Sequence, residues 1–433
     1  MNLPRPAAVP VLLAAAGAPW EAAAVERLDR RGAGTVLHRR CVDLPDLVAA
    51  GRTGLARVAV VADTLPGLDA DAVALLRSAG VQVVAVLTVR DDEVEERLLR
   101  LGVRRCLVAD LDGLEDAVRQ AADGPAPDDE TPAPDTVAHG DDAADRRQGR
   151  VVAVWGPAGA PGRTTMAVSV AADLASRGVP TMLVDADPYG GTVAQHLGML
   201  EEVSGLLAAA RVANAGRLDE RGLAQLCRTV GDGLRVLTGL PRADRWVEVR
   251  PAAFEELLRL ARRLADCVVV DLGFSLEEDG DPFAAAPRRN GMTLQTLEEA
   301  DELVVVGAAD PVGLARLARG LAEVAERWPE LPTVVAVNRV RPSLGWAEQD
   351  VRGMVEGFHR RARVRFVPED RDTGDRALMA GRSAVELGDS PLRRAVRAVT
   401  DTLAGAVPAP APARRVARRS GRPLRNRRAG RAR

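Results

Sequence analysis

The chain has no lysine among its 433 residues, so all 59 of its basic residues are arginines. Codon bias in a GC-rich genome is the simplest explanation. Aromatic residues are also scarce, at 3% of the chain, and the cores must therefore consist mainly of Ala, Val and Leu. Such a composition suits parallel sheets whose strands are covered on both faces.

Cysteine pairs and long apolar runs are missing as well. No Cys-x-x-Cys pair occurs, which argues against a disulfide framework and a cysteine-based zinc site, so we expect buried free thiols at Cys41, Cys106, Cys227 and Cys267. No apolar run approaches the roughly 20 residues that span a bilayer, and the N-terminus lacks a charged region followed by an apolar stretch. We therefore expect a cytoplasmic protein, with peripheral attachment at the inner face of the membrane left open.

Two stretches of biased composition divide the chain. Residues 123–149 mix Pro, Gly, Ala and Thr with eight acidic side chains, and residues 406–433 combine Pro-Ala alternation with ten arginines and no acidic residue. Neither stretch can bury enough apolar surface to order itself. The sequence thus predicts a globular unit at 1–122, an acidic disordered linker at 123–149, a second globular unit at 150–405 and a disordered Arg/Pro-rich tail at 406–433.

The first unit alternates short apolar runs with helical patterns. The apolar runs predict strands at 9–15, 58–62, 81–87 and 105–108. Amphipathic periodicity predicts helices at 20–31, 70–79, 91–101 and 114–122. This alternation is typical of a flavodoxin-like, doubly wound parallel sheet.

The order of these parts and the segment 62–69 resemble a response-regulator receiver domain, and Thr88 matches that family's switch hydroxyl. The acidic pair that would hold Mg²⁺ is replaced by alanine and glycine at 14–17, the phospho-acceptor position is Ala62, and the family's lysine is missing. Asp63 comes one place late and is expected to point to the other face of its strand. We therefore expect an unphosphorylated pseudo-receiver that serves in docking or localisation.

The second unit opens with a pattern typical of a phosphate site. A β-branched run at 150–155 predicts a buried strand, a glycine-rich turn follows at 156–162, and a helical run extends to Arg177. Glycines let backbone N–H groups approach phosphate, and the helix N-terminus adds its positive dipole. Alone, the turn is a poor P-loop, because its first glycine is displaced and Arg163 replaces lysine. An ordinary turn is the alternative.

Later strands of this unit are predicted at 181–185, 266–271, 302–308 and 333–337. Polar residues follow or end three of them, namely Asp185 with Asp187, Asp271, and Asn338 with Arg339. The carboxyl ends of parallel strands meet at one sheet edge, where a Mg²⁺-nucleotide would bind. The alternative for the aspartates at 185 and 187 is that they only cap the next segment.

These motifs, in this order over residues 150–405, resemble the MinD/ParA family of dimeric P-loop ATPases. The resemblance implies ATP and Mg²⁺ as cofactors and a nucleotide-dependent homodimer. It assigns the phosphates to Gly159, Ala160, Gly162, Arg163, Thr164 and Thr165. It assigns the adenine base to Asn338, Arg339, Pro368 and Glu369. It assigns Mg²⁺ to Thr164 as a direct ligand and to Asp185 and Asp271 through water, and it assigns the attacking water to the catalytic residue Asp187.

Two positions depart from the pattern of that family. Ala158 occupies the place of the signature lysine, which in the family reaches the partner's nucleotide, and Arg163 replaces the P-loop lysine. A planar guanidinium is bulkier than an ammonium and is not equivalent to it in a tight loop. We therefore expect ATP binding with slow hydrolysis.

Three functions are compatible with the sequence. The leading hypothesis is an ATP-dependent positioning protein with an unidentified protein cargo, because a receiver-like unit before such an ATPase resembles the CpaE/TadZ branch, associated with polar placement and Tad pilus assembly. The second is a non-hydrolysing scaffold. The third is a chromosome or plasmid partitioning ATPase whose Arg-rich tail at 414–433 contacts DNA phosphates. The same charge would suit an anionic membrane surface.

Overall fold

The computed structural model describes residues 8–123, 148–199, 203–231, 233–278 and 288–403. The tail predicted at 406–433 lies outside these residues, as does the linker except for its first residue and its last two. The four-part division of the chain therefore stays a prediction. No helix in the described part is long and apolar enough to cross a membrane.

The first sheet contains five parallel strands in the order β2-β1-β3-β4-β5, which is the flavodoxin-like order. Its strands are β1 (Val9–Ala14), β2 (Thr35–Arg40), β3 (Val58–Ala62), β4 (Gln82–Leu87) and β5 (Arg105–Val108). Its helices are α1 (Glu21–Leu28), α2 (Leu44–Gly51), α3 (Ala70–Ser78), α4 (Asp92–Arg100) and α5 (Leu114–Ala122). Apolar clusters cover both faces of the sheet.

The second sheet contains eight strands in the order β13-β12-β11-β6-β10-β7-β9-β8. They are β6 (Arg150–Trp155), β7 (Thr181–Ala186), β8 (Arg228–Val230), β9 (Leu234–Leu237), β10 (Cys267–Leu272), β11 (Glu302–Ala308), β12 (Thr333–Val340) and β13 (Arg363–Pro368). All neighbours pair in parallel except β8 and β9. The α/β class with two doubly wound sheets is thus confirmed, with one antiparallel edge that the sequence analysis did not predict.

Helices cover both faces of the second sheet and enclose two apolar layers. They are α6 (Arg163–Ser176), α7 (Val193–His196), α8 (Gly205–Asn214), α9 (Glu220–Leu226), α10 (Pro251–Leu264), α11 (Gly291–Glu299), α12 (Pro311–Arg327), α13 (Glu348–Phe358), α14 (Arg371–Ala380) and α15 (Pro391–Thr400). Short 3₁₀ turns occur at Ala243–Glu248, Pro342–Leu344 and Ala384–Leu387. The helix α6 is buried along most of its length, between the sheet and α15. Its N-terminus is thereby held at the sheet edge.

In the first unit, β2 and α2 were not predicted from the sequence. The strand β2 is a largely exposed edge strand that ends in His38, Arg39 and Arg40, so it lacks the apolar run that marks a buried strand. The helix α2 begins after Asp43, whose side chain accepts the Asp46 N–H at 2.9 Å. An aspartate at this position is a sequence signal for the start of a helix.

The position of Asp63 also differs from expectation. The strand β3 ends at Ala62, so strand alternation no longer fixes the direction of the next side chain. The Asp63 carboxylate accepts a hydrogen bond from the Thr88 hydroxyl at 3.3 Å. Asp63 therefore lies on the side of the switch-like hydroxyl and not on the opposite face.

The two sheets are joined by polar contacts between their helices. The Arg250 guanidinium lies 2.6 Å from a carboxylate oxygen of Asp69, and the Ala252 N–H donates to Asp71 at 3.0 Å. Arg100 donates to the Gly216 carbonyl at 2.7 Å. The first unit therefore contacts the second through α3 and α4.

Candidate functional site

The glycine-rich turn between β6 and α6 leads directly to the helix N-terminus. Gly159 and Gly162 have φ angles of 74° and 87°, in the left-handed region that glycine adopts most readily. Gly162 is the N-cap of α6, and no side chain caps the first N–H groups of that helix. Uncapped N–H groups and the positive end of the helix dipole bind anions. The turn is therefore suited to a phosphate group.

Two buried carboxylates lie on neighbouring strands beside this turn. Asp185 on β7 and Asp271 on β10 are each 1% exposed. They are register partners in the parallel pair, so their side chains project to the same side of the sheet. Asp185 accepts the N–H groups of Asp187 at 3.3 Å and Val193 at 3.1 Å. Neither oxygen of Asp271 accepts a hydrogen bond of normal geometry from any described residue.

Burial raises the pKa of both carboxyl groups. It raises the pKa of Asp185 to about 7. The pKa of Asp271 is raised first by burial and second by the charge of Asp185, whereas the Thr164 hydroxyl and the Arg163 guanidinium lower it. Ionised carboxylates at such depth are costly unless a cation joins them. The pair is therefore a place where a bound cation would stabilise the charged forms.

A third aspartate, Asp187, pairs with the arginine of the turn. Its carboxylate accepts from the Arg163 guanidinium at 3.3 Å and from the Tyr189 N–H at 2.9 Å. Arg163 also donates to the Gly156 carbonyl at 3.2 Å. The Arg163 and Asp187 side chains are 16% and 7% exposed, respectively. Arg163 is thus paired with Asp187, the residue predicted from the sequence to position the attacking water.

A cavity of about 310 Å³ opens beside Gly162 and Thr165. Its far wall contains four residues to which the sequence analysis assigned the base, namely Asn338, Arg339, Pro368 and Glu369. These residues come together because β12 and β13 are neighbours, with a register shift between Val337 and Val340. Such bulges often occur next to functional sites. The cavity therefore joins the phosphate turn to the proposed base-binding residues.

The polar groups of this wall are already engaged. The Asn338 amide donates to the Pro161 carbonyl at 2.9 Å, and its oxygen accepts the Arg339 N–H at 2.8 Å. Arg339 has a φ of 59°, which is uncommon for a residue with a side chain and typical of functional loops. Hydrogen bonds from Arg371 hold the pKa of Glu369 below its usual range. The wall is thus ordered by contacts with the turn and with α14.

Most predicted site residues come together, and six of the thirteen line the cavity, namely Gly162, Thr165, Asn338, Arg339, Pro368 and Glu369. The site contains the turn, the three aspartates and the base wall. Gly159 and Ala160 are not among the residues that line the cavity. They lie on the part of the turn that faces Gly156 and α12, where a Cβ atom at Gly159 would overlap the Arg316 guanidinium.

Several contacts at the site were not predicted from the sequence. His196 Nε2 lies 3.4 Å from the Thr165 hydroxyl. The ring of Tyr189 lies 4.6 Å from that of Phe274 and 4.0 Å from the Arg289 guanidinium, and its hydroxyl donates to Asn290 at 2.9 Å. This aromatic group connects the segment after β7 with the segment after β10. Tyr189 is the only tyrosine of the chain. Its rarity was the one sequence signal that could have pointed to a role at the site.

The residues present fit a Mg²⁺ ion held jointly with phosphate. Mg²⁺ prefers oxygen ligands and is usually bound by one or two carboxylates together with substrate phosphates. Asp185, Asp271 and Thr164 offer such oxygens, and neither oxygen of Asp271 accepts a hydrogen bond of normal geometry from the described residues. No cluster of three or more His, Cys, Asp and Glu residues forms a metal cage in the described part. Water or phosphate oxygens would therefore have to complete the coordination.

Comparisons with known proteins give matches only at the level of structure. No protein-family model matches the chain, and no curated protein matches it. A ParA family ATPase from Chlorobium tepidum is 19% identical, with 59% of this chain and 99% of that chain covered and a TM-score of 0.49. The cell division ATPase MinD from Pyrococcus furiosus is 16% identical, with 59% and 98% covered and a TM-score of 0.45.

The septum site-determining protein MinD from Pyrococcus horikoshii, complexed with Mg-ADP, is also similar. It is 14% identical, with 59% of this chain and 95% of that chain covered and a TM-score of 0.46. These identities are below 20% and the TM-scores are below 0.5, so only the geometry of the site can indicate a function.

Proposed function

We propose that the chain is an ATP-binding protein of the MinD/ParA type that hydrolyses ATP slowly. The observation that carries the proposal is Asp271, a buried carboxylate that accepts no hydrogen bond of normal geometry from the described residues, next to Asp185, Thr164 and the turn before α6. If the turn were an ordinary turn, or the aspartates only capped a segment, burying such a carboxylate would be unexplained. A Mg²⁺-nucleotide bound at this edge would explain it.

In this proposal the turn binds the phosphate chain through backbone N–H groups at the start of α6. Arg163 neutralises phosphate charge after it has exchanged part of its contact with Asp187. The base enters the cavity of about 310 Å³ beside Asn338 and Pro368. Recognition thus relies on residues from β6, β12 and β13 that meet at one sheet edge.

Thr164, Asp185 and Asp271 are the residues that would hold Mg²⁺. The ion, when bound, supplies charge neutralisation for the phosphate oxygens. Asp187 positions the attacking water, because it lies at the end of β7 and is held by the Tyr189 N–H. Release of Asp187 from Arg163 on nucleotide binding would free one carboxylate oxygen for that water.

Slow turnover follows from the missing cation at position 158. Ala158 supplies no charge to a partner's transition state, and in related phosphoryl-transfer reactions a cationic finger is worth roughly 10³–10⁵ in rate. Arg163 retains charge but not the compact shape of lysine. The protein therefore acts as a switch that stays occupied by nucleotide for long periods.

The biological role that we propose is ATP-dependent positioning of cellular machinery by a nucleotide-dependent homodimer. The pseudo-receiver resemblance of the first unit supports a CpaE/TadZ-like role in Tad pilus assembly or polar placement, with the first unit as a docking module. Its contacts through Asp69 and Asp71 with Arg250 and Ala252 would place that module beside the ATPase unit. Pilus ATPase and secretin genes nearby would favour this role, whereas a centromere-binding protein gene would favour partitioning.

Calorimetric titration of the full chain with ATP and with ADP tests the proposal. We expect binding in Mg²⁺ and weakening of at least about tenfold in EDTA, since each tenfold corresponds to roughly 1.4 kcal/mol of lost coordination. Asp271→Asn should lose the dependence on Mg²⁺. Asp266→Asn, at the opposite end of the same strand region, is the matched control and should behave as wild type. No binding at millimolar nucleotide would replace the proposal with the scaffold hypothesis.

A further inference from the structure

Arg316 on α12 lies directly against the phosphate turn. A Cβ atom at Gly159 would overlap its guanidinium, and that group is the nearest neighbour of Gly159 on this side. Arg316 forms no hydrogen bond or ion pair with any residue that the structure describes. An exposed helix residue thus places an unengaged cation at the turn.

The packing of α12 fixes this position. Asp310 caps the helix by accepting the Gly313 N–H at 2.9 Å, and Leu317 is buried beneath Gly307. Gly320 approaches Trp155 and Pro157 so closely that a Cβ would lie 2.9 Å from the Trp155 ring and 3.4 Å from the Pro157 side chain. Residues four apart share a helix face, so Arg316 and Gly320 contact consecutive parts of the same turn.

The distribution of charge around the turn is uneven. Arg163 is engaged by Asp187 and the Gly156 carbonyl, and position 158 holds alanine. Arg316 is the cation beside the turn without a partner among the described residues. A phosphate chain is the anionic group that this turn is built to accept.

Geometry also indicates which phosphate Arg316 would meet. The cavity of about 310 Å³ borders the turn at Gly162, whereas Arg316 contacts it at Gly159. A nucleotide whose base occupied the cavity would extend its phosphates from Gly162 toward Gly159 along the turn. The phosphate farthest from the base is therefore the one closest to Arg316.

We infer that Arg316 binds the terminal phosphate of the ATP held by its own chain. This inference rests on the proposed function and extends it to nucleotide specificity. A cation supplied within the same chain distinguishes ATP from ADP without a partner subunit. Arg316 is thus a specificity-determining residue for the triphosphate.

The test compares ATP and ADP affinities of full-length variants by calorimetry in Mg²⁺. Arg316→Ala should weaken ATP binding by roughly 10- to 100-fold, the range for a charge-assisted contact, and ADP binding by no more than about threefold. Arg316→Lys should recover part of the loss. Arg319→Ala, also exposed on α12, is the matched control and should change neither affinity.

A second variant separates a charge effect from damage to the helix. Arg316→Gln removes the charge but keeps a long side chain and good helix propensity, and it should weaken ATP binding about as much as Arg316→Ala. Equal weakening of ATP and ADP, or no weakening of either, would refute the role of Arg316 while leaving the proposed function intact. Failure of the wild-type chain to bind either nucleotide would instead refute the proposed function.

Discussion

The two doubly wound sheets of this protein differ most at their carboxyl edges. At the first edge, a half-buried Asp63 contacts the Thr88 hydroxyl, and the end of β1 carries alanine. At the second edge, Asp185, Asp187 and Asp271 are all buried, at 1%, 6% and 1% exposure. The fold class is the same, but the titratable groups are concentrated at one edge.

This difference teaches that the fold itself does not require buried acids at that edge. The first sheet forms with alanines where an acidic pair would stand, so such acids are not needed for strand pairing. At the second edge the burial of Asp271, which accepts no hydrogen bond of normal geometry from the described residues, is unfavourable for stability. Fold does not determine function, and the second edge is where a function would compensate for this cost.

The largest expected difference between the two edges is in the rate of ATP hydrolysis. Asp187→Ala should lower the rate of phosphate release by roughly 10²–10⁴, the usual contribution of a residue that positions or deprotonates a nucleophile. Its ATP affinity should stay equal or increase, because Arg163 is then released for phosphate. Single-turnover phosphate release measures the rate, and Asp63→Ala at the first edge is the control. An unchanged rate in Asp187→Ala would remove the catalytic assignment.

A smaller effect concerns ATP affinity. Arg163→Ala should cost about 1.5–3 kcal/mol of binding, the range for a hydrogen bond to a charged group. Arg163→Lys should preserve or improve binding if codon bias explains the arginine. Arg90→Ala, exposed near the first edge, should leave the affinity unchanged in the same calorimetric titration. Loss of affinity in Arg90→Ala would mean that the first edge contributes to nucleotide binding.

The arginine tail can also attract polyanions, so its deletion tests whether the second edge alone binds the nucleotide. Deleting residues 407–433 should leave ATP affinity within about twofold, whereas binding to DNA or anionic vesicles should weaken and its salt dependence should flatten through lost counterion release. Filter binding or vesicle sedimentation at several salt concentrations measures the slope. A large loss of ATP affinity would show that the second edge alone does not hold the nucleotide.

The smallest effect is expected at the first edge itself. Incubation of the chain with acetyl phosphate and Mg²⁺ should leave the intact mass unchanged, because the metal-binding acids are missing and alanine occupies the acceptor position. The contact between Asp63 and Thr88 makes Asp63 the residue to watch. A phosphate adduct that disappears in Asp63→Asn would restore the receiver function to this unit.

Much of the second edge could be predicted because strand ends are visible in the sequence. Buried parallel strands form continuous apolar runs, and the polar residue that ends each run must lie at the carboxyl edge. This reasoning found Asp185, Asp271 and Asn338 without any contact information. It failed for β2, whose exposed edge carries few apolar residues.

The amino-acid sequence by itself determined the α/β class, the central strands and the carboxylates at the second edge, because apolar runs and turns are local patterns. Only the tertiary structure decided that Arg163 pairs with Asp187, that Asp271 accepts no hydrogen bond of normal geometry from the described residues, and that Arg316 reaches the turn. These contacts depend on strand register and on the packing of α12 against β11 and the Trp155 ring. Such distances between residues far apart in the chain have no local sequence signal.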